Sequence, residues 1–213
     1  MPYFTQEKYR IEIGKIVCID RAEDSDRVLF IKPASSIIHF DQAVEIPEGV
    51  SRLGFNMMIA MAVGKKITKA TKHKMANLMG YGAVIDVYDM DMLEEAKEKG
   101  LPWMLAKGSD TFCPISDFTS AKDLEDPYSL EVYLEVNETQ IVKATTREMK
   151  TDIEGTLEWI SNRMSLYPGD MVCIPVSDPE GELVKGDVIE AGISSVGVMR
   201  HIVKGSENPP MHP

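Results

Sequence analysis

The sequence predicts an α+β fold with a mainly β core. Three observations carry that reading. Most apolar residues fall in short runs rich in Ile and Val. Several of these runs alternate apolar and polar residues with the period of a strand. The helical patterns are few and short. The 213 residues can bury a substantial core, and a single domain is expected over residues 1–205. The tail "GSENPPMHP" has the composition of a disordered end, so residues 206–213 are expected to be disordered.

In chain order, "RIEIGKIVCID" (10–20) and "RVLFIKP" (27–33) read as strands, joined by the short acidic link "RAEDSD". Residues 34–52 hold short extended pieces broken by Pro47 and Gly49. "LGFNMMIAMAVGKK" (53–66) reads as a strand up to Gly64. Its alternation sends Phe55, Met57, Ile59, Met61 and Val63 to one side, and Asn56, Met58, Ala60 and Ala62 to the other. "KATKHKMANLMG" (69–80) suits a helix stopped at Gly80. "YGAVIDVYD" (81–89) is a buried strand that ends in acids, and "DMLEEAKEKG" (91–100) a helix closed by Gly100. Residues 129–146 form a hairpin turning at Asn137-Glu138. Asp152 is placed to cap a helix whose Ile153, Leu157, Ile160 and Met164 share a face. "PGDMVCIPV" and "KGDVIEAGISSVGVMRHIV" close the chain as strands, each beginning at a Gly-Asp turn.

Composition excludes some functions. Twenty-three basic and 34 acidic residues give a formal net charge of −11, which disfavours nucleic acid and anionic membrane as partners. The lysine-rich run "KKITKATKHK" (65–74) reads as a solvated helix face. No apolar run approaches a membrane span, and the start lacks a signal-peptide pattern. Cys18, Cys113 and Cys173 are odd in number and widely spaced. That suits buried thiols in a reducing cytoplasm better than disulfides or a zinc site, so the expected location is cytoplasmic.

Several blocks, in order, carry a resemblance: "GKIVCI" (14–19), "VLFIKP" (28–33), "GLPWMLAKGSDTFCPIS" (100–116), "LEVNETQ" (134–140) and "LYPGDMVCIPVSDPEGELVKGDVIEAGI" (166–193). Together they resemble the fumarylacetoacetate hydrolase family, and within it the short acylpyruvate hydrolase and oxaloacetate decarboxylase branch. The resemblance implies a mixed β-roll with a few short helices and a homodimer. It also implies carbon–carbon bond hydrolysis, decarboxylation or double-bond isomerisation of small oxo-acids held on Mg²⁺ or Mn²⁺. In the family a Glu-x-Glu pair and an Asp bind the metal, a His–Glu loop activates water, a lysine and an arginine bind negative charge, and a Thr-Gly-Thr-Pro turn adds hydrogen bonds.

Laid onto this chain, that pattern is largely replaced. The Glu-x-Glu positions are Asn56 and Met58, the arginine position is Met90, and a nearby glutamine position is Leu93. The Thr-Gly-Thr-Pro turn reads "IPVS", ending at Ser177. Where the family inserts a longer loop carrying His–Glu, this chain has only "RAEDSD", and none of His39, His73, His201 and His212 falls at the matching place. Asp86 matches the third metal ligand and Lys107 the lysine. The resemblance thus leaves Asp86, Lys107 and Ser177 as pocket residues, Lys107 as the candidate catalytic group, and Asp86 alone as a metal ligand. A carboxamide and a thioether are poor partners for a hard dication, so no metal cofactor is expected, with Mg²⁺ or Mn²⁺ as the alternative. Asp86 is expected to pair with Lys107, to help bind an ion, or to bond backbone or water. The leading expectation is a non-catalytic or impaired homologue that binds a small oxo-acid or other anion. The alternative is an active hydrolase, decarboxylase or isomerase of such acids.

Overall fold

The computed structural model describes residues 3–6, 9–21, 27–176, 178 and 181–205. Most of the acidic link, Ser177 and the tail 206–213 lie outside the described residues.

The long apolar run becomes the strand Leu53–Val63, and every one of its residues is buried. It pairs antiparallel with Leu78–Asp89 along its whole length. This pair is the centre of a seven-stranded sheet. Thr119–Ser120 borders Leu78–Asp89, and Met171–Pro175 lies on the other side of Leu53–Val63. Beyond it come Ile16–Arg21, in parallel pairing, and Arg27–Lys32 at the edge. A five-stranded sheet runs Thr139–Thr145, Glu131–Val136, Val188–Ile193, Gly197–Gly205 and Val44–Ile46. Both sheets mix parallel and antiparallel neighbours. Strands dominate and helices are few, as the mainly β class requires.

The alternation in Leu53–Val63 divides two cores. Met57, Ile59, Met61 and Val63 join the large apolar cluster. With them are Leu134, Ile189, Ala191 and Met199 of the five-stranded sheet, and Ile153, Leu157 and Ile160 of the helix Ile153–Ser161. Met58, Ala60 and Ala62 face the other way, into a smaller cluster with Cys18, Phe30, Val84, Cys113 and Cys173. The three thiols are free and buried.

Several elements depart from expectation. Residues 69–80 form no helix. His73, at φ 49°, leads into a 3-10 turn at Lys74–Asn77, and Gly80 lies inside the strand Leu78–Asp89. Pairing along the whole of Leu53–Val63 overrides a weak helical preference. The lysine-rich run is therefore no helix face, and Lys74 is buried with its ammonium on the Thr71 carbonyl at 2.8 Å. The helix capped by Asp152 ends at Ser161, so Met164 lies beyond it. The final segment folds back on itself as Val188–Ile193 and Gly197–Gly205. Among the described residues, no helix is long and apolar enough to cross a membrane.

Candidate functional site

The smaller core runs out at one end into charge. Period-two alternation puts Asp20 beyond Cys18 on Ile16–Arg21, Lys32 beyond Phe30 on Arg27–Lys32, and Asn56 before Met58 on Leu53–Val63. Asp86 stands directly opposite Asn56, and Tyr88 opposite Gly54. The helix Met104–Lys107 adds Lys107 from above this face. Gly108 ends that single turn where a Cβ would stand 2.6 Å from the Met104 carbonyl oxygen, so the sharp exit needs a glycine.

These side chains form a quartet of two ammoniums and two carboxylates. Lys107 donates to Asp86 Oδ2 at 2.5 Å and lies 3.2 Å from Asp20 Oδ2. Lys32 Nζ is 2.8 Å from Asp86 Oδ1, but off the hydrogen-bonding direction, so this contact is an ion pair only. The Lys32 protons go instead to backbone, to the Val87 carbonyl at 3.0 Å, the Phe112 carbonyl at 2.8 Å and the Lys107 carbonyl. One buried ammonium thus ties a strand, a helix end and a loop together. Lys107 is also sandwiched by rings, with Nζ 4.7 Å from the Phe30 centroid and 4.3 Å from that of Tyr88. The Tyr88 ring fits only because residue 54 is glycine: a Cβ there would sit 2.4 Å from ring carbons.

The electrostatics fix the protonation states. Burial pushes the Asp86 carboxyl up, but Lys107 and then Lys32 outweigh it and hold it below the usual carboxylate range. Burial likewise pushes the Lys107 ammonium down, and Asp86 followed by Asp20 more than reverses this. Lys107 is therefore a permanent cation near neutrality, suited to stabilising negative charge or lending a proton, and unsuited to forming an imine. Burial raises the Tyr88 phenol to about 12, so it stays neutral.

A family profile described as "Fumarylacetoacetate (FAA) hydrolase C-terminal" matches residues 12–204. The chain belongs to the fumarylacetoacetate hydrolase family. Among its relatives, the mitochondrial oxaloacetate tautomerase FAHD1 of Arabidopsis thaliana is 30% identical over 207 residues, spanning 92% of this chain and 93% of that one. The structure of 2-hydroxyhepta-2,4-diene-1,7-dioate isomerase from Mycobacterium marinum superposes with a TM-score of 0.81 at 30% identity, over 93% of this chain and 77% of that one. Fumarylpyruvate hydrolase from Pseudomonas aeruginosa, solved with Mn²⁺ and pyruvate, shares the fold with a TM-score of 0.88 at 17% identity, over 96% and 95% of the two chains. These names support the acylpyruvate and oxaloacetate branch.

Within this fumarylacetoacetate hydrolase fold, the residues at the metal positions do not fit Mg²⁺ or Mn²⁺. Asp86 has both oxygens engaged by ammoniums. Met58 is fully buried among apolar side chains and sulfur. Asn56 is buried with Oδ1 lacking a hydrogen-bond partner among the described residues. Two cations beside a single ligand oppose a third positive charge. Among the described residues, no three His, Cys, Asp or Glu side chains are grouped to hold a metal.

The structure brings together two of the residues singled out from sequence, Asp86 and Lys107; Ser177 lies outside the described residues. Sequence reasoning missed Asp20 and Lys32. A signal was present: each is a charge at the end of an apolar strand pattern, in phase with buried Cys18 or Phe30.

Proposed function

We propose that this chain interconverts the keto and enol forms of small 2-oxo acids without a divalent metal, with Lys107 supplying the positive charge that stabilises the enolate. The observation that carries this reading is a buried lysine held protonated by Asp86 and Asp20. Enolisation of a 2-oxo acid develops negative charge on the C2 oxygen, and an ammonium fixed in a dry, ring-lined site stabilises it with little reorganisation. Hydrolysis needs an activated water, and the His–Glu loop that provides it in the family has no counterpart here. Tautomerisation needs no water, and the oxaloacetate tautomerase relatives support the same choice.

Two copies are proposed to pair, as the family resemblance implies, giving a solution mass about twice 23.8 kDa. The loss of carboxylates at Asn56 and Met58 favours a second reading, a non-catalytic binding homologue. One experiment separates the two. Enolic oxaloacetate is followed by ultraviolet absorbance in the presence of a chelator. Wild type should accelerate its ketonisation over buffer, and Lys107→Met should abolish the acceleration while keeping its β-sheet circular dichroism. Wild type no faster than buffer would establish the non-catalytic reading instead.

A further inference from the structure

We infer that Asp20 is the base that takes the C3 proton of the bound oxo-acid, an assignment that rests on the tautomerase reading. The site offers two carboxylates, and they are not equivalent. Asp86 has no exposed side-chain surface and an ammonium on each oxygen. Asp20 lies 3.2 Å from Lys107, against 2.5 Å for Asp86, and keeps 17% of its side chain exposed. A carbonyl oxygen arriving from solvent therefore displaces Asp20 from Lys107 more readily than it displaces Asp86. The freed carboxylate remains beside the ligand. Asp20 also occupies the last turn of chain before the shortened link, where the family carries its water-activating pair. The alternatives are poorly placed. The Tyr88 phenol stays protonated, and the buried His201 is bound to the Gln42 carbonyl at 2.8 Å on the five-stranded sheet.

The step balances without a co-reactant. The C3–H bond breaks and its electron pair becomes the C2–C3 double bond. The carbonyl π pair moves onto the C2 oxygen, which takes a proton from Lys107, while Asp20 holds the proton from C3. The two groups are then carboxylic acid and amine. Their resting contact returns the proton from Asp20 to Lys107, so each turnover ends with the ion pair restored. The reverse direction uses the same groups in opposite roles.

The test compares wild type, Asp20→Asn and Asp20→Glu, using enol–keto conversion of oxaloacetate and exchange of the pyruvate methyl protons in D₂O followed by NMR. Binding of oxalate, which has no C3 proton, is measured alongside by calorimetry. Asparagine keeps an oxygen for Lys107 but cannot take the proton. Asp20→Asn should lower kcat by about 10²–10⁴-fold, the usual worth of a positioned base, with KM and oxalate affinity unchanged. Asp20→Glu should recover part of the rate. Asp20→Asn exchanging at the wild-type rate would overturn the assignment and leave the tautomerase reading standing. So would a parallel loss of oxalate binding, which would make Asp20 a positioning residue. A wild type that neither exchanges nor tautomerises would overturn the tautomerase reading, and this assignment with it.

Discussion

At the scale of single residues, three methionines in one short run have different roles. Met57 and Met61 fill the large core, as an adaptable apolar side chain does. Met58 lies on the site face, against Val84 and Pro175 on the neighbouring strands. An isolated glutamate at that place would be desolvated next to apolar side chains, so Met58→Glu should destabilise the fold. Asn56→Glu combined with Met58→Glu would set three carboxylates around one position, since residue 56 faces Asp86 directly. The double variant should melt below wild type in chelator. Mn²⁺ should raise its melting point, by about 2.7 kcal/mol of stability at a hundredfold excess over Kd, and leave wild type unmoved. Thermal unfolding of both proteins with and without the ion decides it. A double variant as indifferent to Mn²⁺ as wild type would mean that the packing around Met58 cannot open.

At the scale of elements, the best-read parts of the sequence were those with strong local rules. The hairpin Glu131–Val136 with Thr139–Thr145 turns where expected, with Asn137 at φ 51° and Glu138 at φ 64°. Asn137 suits that conformation and is anchored further, donating to Asp187 at 2.8 Å and accepting from the Val188 amide at 2.9 Å. Glu138 has no such help. Left-handed backbone costs a residue with a Cβ about 1–2 kcal/mol, so Glu138→Gly should raise stability by up to about 1 kcal/mol in urea unfolding. A loss of stability would show that the glutamate side chain contributes more than its backbone strain costs. The segment 69–80 was misread because its fate depends on a partner strand distant in sequence, which local propensity does not contain. The same limit hid half of the site. Asp86 and Lys107 were legible through family resemblance, whereas Asp20 and Lys32 acquire meaning only when two neighbouring strands bring them to the same face.

At the scale of the whole molecule, buried ionisable groups set the pH range of stability. His201 is buried, with Nδ1 on the Gln42 carbonyl and Nε2 lacking a partner among the described residues. Burial is the main cause that holds its pKa below 6.5. In the unfolded chain the imidazole protonates at its ordinary value, so its contribution is complete above about 6.5 and is lost as pH falls from there through the lowered folded value. Asp86 acts in the same sense further down, below 3.8. Lys107 acts oppositely: its contribution is complete below 10.5 and is lost as pH rises through the higher folded value. As far as these three groups decide it, stability is flat from about pH 6.5 to 10.5 and declines on the acid side first. The urea midpoint should therefore fall between pH 7 and pH 5, and His201→Gln should flatten that decline. An unchanged slope in the variant would assign it to other groups.

The contact between Tyr88 and Gly54 has a consequence for descent. The ring covers Lys107 only while position 54 carries no side chain. An ancestor with a larger residue at 54 could not acquire the tyrosine in one step. A present-day chain that gains a methyl group at 54 must first surrender the ring. The two positions are thus locked into an order of substitution, glycine before tyrosine on the way in and tyrosine lost first on the way out. The covered lysine is in this sense an inheritance of two linked changes, harder to reverse than either would be alone.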